Sequence, residues 1–233
     1  MEKSVEKVVA REGISQVAEI ALANGLELTS DQLQQLTLYA AMLIETNQQI
    51  NLISRQDEGN VFTRHILHSL TLAMPSVTGR TIEKGLSVLD LGTGGGLPGI
   101  PLAIVRADLK FTLCDSIKKK VIAVRSMIDE LGIRNARAVT SRAEELRRTE
   151  RKTVYDAVVT RAVASVADLA KWTTGLLKPG STIYALKGGD LTEELHRAKR
   201  LQVIKNITAL PLKLEGYTAF AEDEKELVII DLN

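Results

Sequence analysis

The sequence predicts an α/β protein in which a helical N-terminal region precedes a doubly wound, mostly parallel sheet of seven strands that ends in an antiparallel hairpin. Apolar residues recur at helical spacing up to Pro75. From Leu86 onward, short β-rich runs alternate with amphipathic stretches, the pattern of right-handed βαβ units. We therefore expect an N-terminal helical region over 1–80 and a sheet domain over 81–233.

Two apolar stripes predict the N-terminal helices. Thr29 and Gln32 have the spacing of a capping box, in which each side chain accepts from the other residue's backbone N–H. The stripe that follows this box consists of Leu33, Leu36, Ala40, Leu43 and Ile44. A second stripe, which ends before Pro75, consists of Val61, Phe62, Ile66, Leu70 and Ala73.

Seven runs have strand character, and helical stretches separate most of them. The predicted helices include 116–131, opened by Ser116, and 165–177, where Ser165 and Asp168 suggest a second capping box. The last two runs have no helical pattern between them, which predicts a hairpin at the edge of the sheet. The predicted strands are 86–91, 109–114, 136–140, 155–160, 181–187, 201–210 and 225–231.

The composition is that of a globular protein with a hydrophobic core. Of 233 residues, 45% are hydrophobic and 25% are charged, which excludes a disordered or collagen-like chain. The single cysteine, Cys114, cannot form an internal disulfide or a Cys-rich metal site and fits a reducing compartment. The charged N-terminus argues against a signal peptide. No apolar run reaches ~18 residues, so we expect no membrane span. We expect a cytoplasmic monomer.

Charge is unevenly distributed along the chain although the net charge is only +1. Between Lys118 and Lys152, eleven basic residues stand against five acidic ones, whereas six acidic residues stand against one basic residue from Glu215 to Asp231. Such runs are commonly solvated helix faces. The asymmetry permits a nucleic-acid partner without demonstrating one.

The glycine-rich segment from Asp90 to Gly99, DLGTGGGLPG, follows a predicted strand and opens a helix. Gly92 and Gly94 lack a Cβ atom, so the backbone can approach a ligand closely. The segment also contains G-x-G-x-x-G, the dinucleotide fingerprint, but the Asp90 carboxylate would repel a pyrophosphate. S-Adenosylmethionine has no phosphate and carries cationic ammonium and sulfonium groups, which a carboxylate attracts. D-x-G-x-G-x-G resembles the first motif of Rossmann-like class I S-adenosylmethionine-dependent methyltransferases.

Asp115 ends the second predicted strand about twenty residues after this segment, where an acid can bind both ribose hydroxyls of a nucleoside. A carboxylate that stabilises the N-terminus of the next helix is the structural alternative. Both readings of Asp115 fit a nicotinamide-dependent oxidoreductase as well, so that enzyme class stays open at this point.

The segment after the fourth strand limits the type of methyl transfer. It lacks the proline motif typical of exocyclic amine methylation, and Cys114 lies within a strand rather than at a nucleophile position. Guanine N7 has an available lone pair, so its methylation needs orientation more than a general base. Arg161 and Lys187, at the ends of the fourth and fifth strands, could hold O6 or a phosphate. The structural alternatives are an ion pair between Arg161 and a nearby acid such as Glu144, and a Lys187 side chain that extends to water.

The ordered set of motifs resembles one family, the RsmG (GidB) methyltransferases, which methylate guanine N7 in bacterial 16S ribosomal RNA. The resemblance covers nearly the whole chain. Its motifs are Asn51-Leu52, RHILHS at 64–69, DLGTGGGLPGIP at 90–101, Asp115-Ser116, SRAEE at 141–145, TRA at 160–162 and ALKG at 185–188.

The resemblance implies roles for individual residues. Among these, Arg161, Lys187 and His65 are the expected catalytic residues. The family usually has Asp where this chain has His68, so an acid that could orient Arg64 or His65 is missing from that motif. The expected substrate contacts are Asn51, Arg64, His65, Arg142 and Lys187. With the glycine segment, the expected cofactor contacts are Asp90, Gly92, Gly94, Leu97, Asp115, Ser116, Ala143, Glu144 and Arg161.

The expected partner is 16S ribosomal RNA or a small-subunit particle. Aromatic residues make up 3% of the chain, so recognition should depend on RNA shape and phosphates more than on base stacking. The His65/His68 pair has no third ligand nearby in sequence, and we expect no metal. A methyltransferase for a small metabolite remains the main alternative to an RNA methyltransferase.

Overall fold

A computed structural model describes residues 2–80, 82–149 and 154–233. The predicted arrangement of N-terminal helices followed by an α/β sheet is confirmed. Within the described chain, the helical segments include two short 3₁₀ helices and one π-helix. They are α1 (Glu2–Ala23), α2 (Ser30–Asn47), the 3₁₀ helix Arg55–Asn60, the π-helix Val61–Leu67, α3 (His68–Leu70), the 3₁₀ helix Thr71–Ala73, α4 (Pro75–Thr78), α5 (Gly99–Val105), α6 (Lys118–Glu130), α7 (Ala143–Thr149), α8 (Val166–Thr173), α9 (Thr192–Ala198) and α10 (Ala219–Glu222).

The sheet has seven strands in the order β3-β2-β1-β4-β5-β7-β6. The first five strands in sequence run parallel, and β7 pairs antiparallel with both β5 and β6, so the predicted C-terminal hairpin is confirmed. The strands are β1 (Ser87–Leu91), β2 (Lys110–Asp115), β3 (Ala136–Thr140), β4 (Tyr155–Arg161), β5 (Leu177–Gly188), β6 (Ile204–Pro211) and β7 (Lys225–Leu232).

Two predicted helix starts are confirmed, whereas one predicted start and one predicted end are wrong. The Thr29–Gln32 capping box forms in both directions, and Ser165 caps α8 by accepting from the N–H of Asp168. Ser116, in contrast, does not open α6, which begins at Lys118. The predicted helix 165–177 ends at Thr173, because residues from Leu177 onward pair as β5.

The core lies on both faces of the sheet. The N-terminal helices share one buried cluster with α5, α6 and one face of the strands, which includes Leu36, Ile66 and Leu113. The other face, with Leu89 and Leu169, packs against α7 and α8. Helix α2 packs against α5 and α6, and α3 packs against α5, so these two helices fix the N-terminal region to the sheet domain. The domain boundary at 80/81 stays a proposal, and Thr81 lies outside the described residues.

The strand order places a crevice at the carboxyl ends of β1 and β4. Strand β1 lies between β2 on one side and β4 on the other, so the chain reverses its direction of winding there. Ligands of open α/β sheets bind outside the carboxyl ends of strands at this switch point. Among the described residues, no helix has the length and apolar character needed to cross a bilayer.

Candidate active site at the carboxyl edge of the sheet

The glycine segment forms a tight loop that is held by backbone and side-chain contacts. The N–H groups of Gly92 and Thr93 donate to the Cys114 carbonyl at the end of β2, at 2.8 and 3.0 Å. Gly92 has φ +71°, and a Cβ atom there would clash with the Val163 side chain. Only glycine avoids both the left-handed strain and this clash, so the loop backbone lies open beside β1.

Asp90 is completely buried behind this loop. Its Oδ2 accepts from Thr93 Oγ1 at 2.6 Å and from Gly99 N at 2.9 Å, while Oδ1 has no hydrogen-bond partner among the described residues. Burial raises the pKa of the carboxyl to about 7, and the two hydrogen bonds only partly oppose this shift. Asp90 therefore shapes the loop from behind, and its predicted direct contact with a cationic cofactor stays a prediction.

Asp115 connects the loop to the next helix. One carboxylate oxygen accepts from Gly94 N at 3.0 Å and the other from Ile117 N at 2.9 Å. The predicted helix N-terminal role is thus present in the structure, and Asp115 rather than Ser116 satisfies the N–H group that precedes α6. The same carboxylate lines a cavity, so the structural role leaves its predicted ribose role open.

The first of two neighbouring cavities, the glycine-loop cavity, has a volume of about 310 Å³, within the range of small-molecule sites. Leu97 does not line it and is almost fully buried, and Asp90 and Gly94 do not line it either. Six residues predicted to bind cofactor or substrate do line it, and these are Gly92, Asp115, Ser116, Arg142, Ala143 and Glu144. Arg142, expected on the substrate side, thus lies with the predicted cofactor contacts.

The second cavity, the cation cavity, has a volume of about 690 Å³ and lies at the ends of β4 and β5. Val163 lines both cavities and forms the wall between them. Asn51, in contrast, is exposed and lines neither cavity. The structure brings together four of the predicted catalytic and substrate residues on the wall of the cation cavity, namely Arg64, His65, Arg161 and Lys187.

Arg161 is held by the π-helix of the N-terminal region. Its Nη1 donates to His65 Nδ1 at 2.8 Å and to the Arg64 carbonyl at 3.3 Å. Because an arginine can only donate, His65 Nδ1 must be unprotonated and the imidazole proton lies on Nε2. Burial, followed by the charges of Arg161 and Arg64, lowers the pKa of His65 to about 3. The alternative Arg161–Glu144 pair does not form, since Glu144 lines the other cavity.

Lys187 forms a hydrogen bond with the loop that follows β4. Its Nζ donates to the Ala164 carbonyl at 2.8 Å and lies 2.6 Å from Glu194 Oε1, which also accepts from Val166 N at 2.7 Å. The Lys187 side chain is only 10% exposed, so the alternative in which it extends into water is wrong. The ammonium instead fixes the loop between β4 and α8.

His68, the departure from the family motif, is buried against Phe220 with ring centroids 5.0 Å apart. Burial lowers its pKa well below the usual value, so the ring is neutral. Arg64 lies near carboxylates from other segments, at 3.5 Å from Asp57 and 3.8 Å from Asp223. The charge that an acid at position 68 would supply therefore comes from elsewhere in the chain.

Sequence reasoning missed several residues of these cavities. Asp57, whose Oδ2 lies 3.9 Å from His65 Nε2, and Glu194 come from distant segments, and no sequence spacing connects them to the site. Trp172, the only tryptophan, lines the glycine-loop cavity although it lies in a helix after β4. Among the described residues, no three His, Cys, Asp or Glu side chains are arranged to hold a metal ion.

Comparison with solved structures shows the fold. TrmN from Thermus thermophilus matches 72% of this chain and 48% of its own length with a TM-score of 0.53 and 18% identity. A protein described as a predicted O-methyltransferase from Agrobacterium tumefaciens matches 71% of this chain and 80% of its own with a TM-score of 0.56 and 12% identity. The Rossmann-like architecture expected of class I methyltransferases is therefore confirmed.

Comparison with known sequences shows the family. A protein of Chlorobium limicola named Ribosomal RNA small subunit methyltransferase G is 39% identical over 221 residues, which are 94% of this chain and 96% of the relative. A protein of the same name from Deinococcus deserti is 39% identical over 79% of this chain and 76% of its own. The GidB family model, described as rRNA small subunit methyltransferase G, matches residues 32–219. With its fold, its glycine loop and both cavities in place, the chain belongs to the GidB family of rRNA small subunit methyltransferases.

Proposed function

We propose that this protein transfers a methyl group from S-adenosylmethionine to N7 of a guanine in bacterial 16S ribosomal RNA. The observation that carries the proposal is the match to the Chlorobium limicola relative along 94% of the chain, combined with two adjoining cavities that share a single wall residue. We further propose that the enzyme acts in the cytoplasm as a monomer and uses no metal ion.

The glycine-loop cavity fits S-adenosylmethionine by its chemistry. It combines a loop backbone without a Cβ at Gly92, the Asp115 carboxylate for hydroxyl groups, and the apolar surfaces of Ala143 and Trp172 for a base. The buried Asp90 adds negative potential behind the loop once it is ionised, which favours a cationic ligand over a diphosphate. When bound, the cofactor supplies an electrophilic methyl group on its sulfonium.

The cation cavity fits a guanine base. Guanine presents O6 and N7 as acceptors on one edge, and the Arg161 guanidinium is suited to donate to O6 while N7 stays free. His65 accepts one Arg161 hydrogen and so limits the directions in which the remaining N–H groups point. Methylation of N7 releases no proton, so the site needs no general base; the neutral His65 and the engaged Lys187 agree with that requirement.

Val163 and its loop are placed to align the two ligands. The side chain packs on Gly92 and forms part of both cavity walls. Lys187 and Glu194 hold the following residues, Ala164 and Val166, in position. The loop after β4 therefore sets the distance between methyl donor and acceptor, and this alignment is the main contribution that the protein makes to the rate.

The test uses small ribosomal subunits from a strain that lacks the gene. The purified protein and S-adenosylmethionine are incubated with these particles and, separately, with their deproteinised RNA, and N7-methylguanine is mapped by chemical cleavage of the RNA chain. We expect one new cleavage site that is absent without the protein. An unchanged map with both substrates would reject the proposal. Methyl transfer to a small metabolite at a rate that added ribosomal RNA leaves unchanged would favour the metabolite alternative.

A further inference from the structure

Helix α6 has basic residues in its first turn and acidic residues in its last turn, which is the arrangement that destabilises a helix. Its first three residues, Lys118, Lys119 and Lys120, occupy the first turn, and neither an acidic residue in the first turn nor a basic residue in the last turn offsets them. The N-terminus of a helix bears a partial positive charge, so cations in that turn are unfavourable. Residues that lower the stability of their own helix are found mainly at functional sites, where binding rather than stability determines the residue type.

The segment that leads into α6 adjoins the segment that contains Arg142. Strands β2 and β3 are paired up to Asp115 and Thr140, and the N–H of Ser141 donates to the Asp115 carbonyl at 3.1 Å. The residues that follow both strands therefore emerge side by side at the carboxyl edge. Ser116 and Arg142 line the same glycine-loop cavity, which places the start of α6 at its rim. We call Lys118, Lys119, Lys120 and Arg142 the basic edge.

The basic edge is exposed and uncompensated. Lys118, Lys119 and Arg142 are exposed and Lys120 is half-buried. None of the four forms an ion pair with a carboxylate in the described part of the chain. The nearby Asp115 carboxylate already accepts two backbone N–H groups. Four positive charges and a helix N-terminus thus make the electrostatic potential at this edge more positive.

The distance to the reaction site suits a polyanion that reaches both places. In the strand order, β2 is separated from β4 by β1 alone, and two strand spacings are about 10 Å. A nucleotide whose base enters the cation cavity beside β4 would place the phosphates of neighbouring nucleotides at about this distance.

We propose that the basic edge binds the phosphate backbone of the substrate RNA next to the target guanine. This inference rests on the proposed function for the identity of the RNA. The surface itself is new: of its four residues, only Arg142 is among the expected substrate or cofactor contacts. The contacts are to phosphates, so they position the RNA and add affinity without reading its sequence.

The test compares two double variants that remove the same charge. Lys118→Ala/Lys119→Ala alters the basic edge. Lys84→Ala/Lys110→Ala removes two exposed lysines at the opposite edge of the sheet, where β1 and β2 begin. Binding of deproteinised 16S RNA from the deletion strain is measured over a series of salt concentrations, together with KM and kcat for methyl transfer and the thermal denaturation midpoint.

For the basic-edge variant we expect the slope of log affinity against log salt to fall by about 1.4 to 1.8, and KM for RNA to rise about tenfold at physiological salt with kcat less affected. Its denaturation midpoint should stay equal or rise, because the lysines oppose the helix dipole. The control should keep the wild-type slope and KM. Equal slopes in all three proteins would overturn the proposal, as would the absence of salt-dependent RNA binding by the wild type.

The two hypotheses fail differently. If the wild type binds RNA with a slope that depends on the basic edge but methylates no RNA, the proposed function is wrong and the binding surface stands. If the wild type methylates RNA and both double variants behave alike, the function stands and the surface assignment is wrong.

Discussion

Arg161 Nη1 donates a hydrogen bond to His65 Nδ1 at 2.8 Å, which joins the end of β4 to the π-helix of the N-terminal region. The two residues are 96 positions apart in sequence. The bond exists only while His65 is neutral, and burial keeps it neutral by lowering its pKa to about 3. The N-terminal helices thus fix the direction of the one guanidinium that lies at the end of β4.

This bond predicts opposite outcomes for two substitutions of His65. In His65→Asn, the amide oxygen can occupy the place of Nδ1 and accept from Arg161, whereas the longer side chain in His65→Gln places its amide near Nε2. We expect His65→Asn to retain most of kcat and His65→Gln to lose about 10- to 100-fold, which corresponds to the ~1.5 to 3 kcal/mol of one hydrogen bond to a charged group. Steady-state kinetics with small-subunit particles measures both. Equal losses in the two variants would contradict a role through Nδ1.

The low pKa of His65 also predicts the pH dependence of activity. The pKa is depressed, so the neutral ring and its bond to Arg161 persist as pH falls and are lost only near pH 3. Between pH 5 and 8 we therefore expect kcat to depend on pH in the same way in the wild type and in His65→Asn. A limb near the ordinary histidine pKa that this substitution removes would show that His65 titrates during the reaction.

Asp90 predicts a pH dependence of stability. Its folded-state pKa of about 7 lies above the usual 3.8, so the folded protein binds a proton that the unfolded chain releases. The free energy of unfolding should therefore fall as pH rises from about 4 to about 7. Asp90→Asn removes this contribution while keeping an acceptor for Thr93 and Gly99. Relative to the wild type, the variant should gain about 2 to 4 kcal/mol between pH 4 and 8.

Urea denaturation at several pH values measures this difference. The exposed Asp129→Asn serves as the matched control, which should keep the wild-type slope. Parallel curves for wild type and Asp90→Asn would mean that Asp90 is ionised in the folded protein at acidic pH.

The contact between Gly92 and Val163 predicts the effect of adding one methyl group. Gly92→Ala introduces both backbone strain at φ +71° and a clash with Val163. We expect at least tenfold weaker S-adenosylmethionine binding by calorimetry. The double variant Gly92→Ala/Val163→Ala should recover part of this loss, because it removes the clashing Cγ atoms.

Gly132→Ala provides the control for this experiment. Its φ of +63° imposes similar strain, but no atom lies within 4 Å of the added Cβ. It should lose about 1 kcal/mol of stability and leave cofactor affinity unchanged. No recovery in the Gly92/Val163 double variant would show that the clash is not the cause.

Lys187 and Glu194 should act as a unit on the rate. Both bind the loop between β4 and α8, through Ala164 and Val166. We expect Lys187→Met and Glu194→Gln each to lower kcat and the double variant to lose little more than either one, with a coupling energy of about 1 to 3 kcal/mol. Additive losses in kcat would instead indicate that Lys187 contacts the substrate independently of Glu194.

The sequence predicted the elements of the fold because their signals are local. Alternating apolar runs, the Thr29–Gln32 box and the glycine segment depend on neighbours within a few residues, and all appear where they were expected. The predicted start of α6 at Ser116 is two residues early, because Asp115 accepts from the N–H of Ile117 and the helix begins only at Lys118.

The sequence by itself determined the glycine loop, the acid at the end of β2 and the mostly parallel sheet that brings strand ends to one edge, since each follows from short-range spacing and the rules of βαβ connection. Only the tertiary structure decided what each charged side chain faces. Burial made Asp90 a support behind the loop and kept His65 neutral, and packing brought Glu194 to Lys187 and Asp57 to Arg64. Charge and hydrogen bonding act over a few ångströms in space, and residues far apart in sequence supply them.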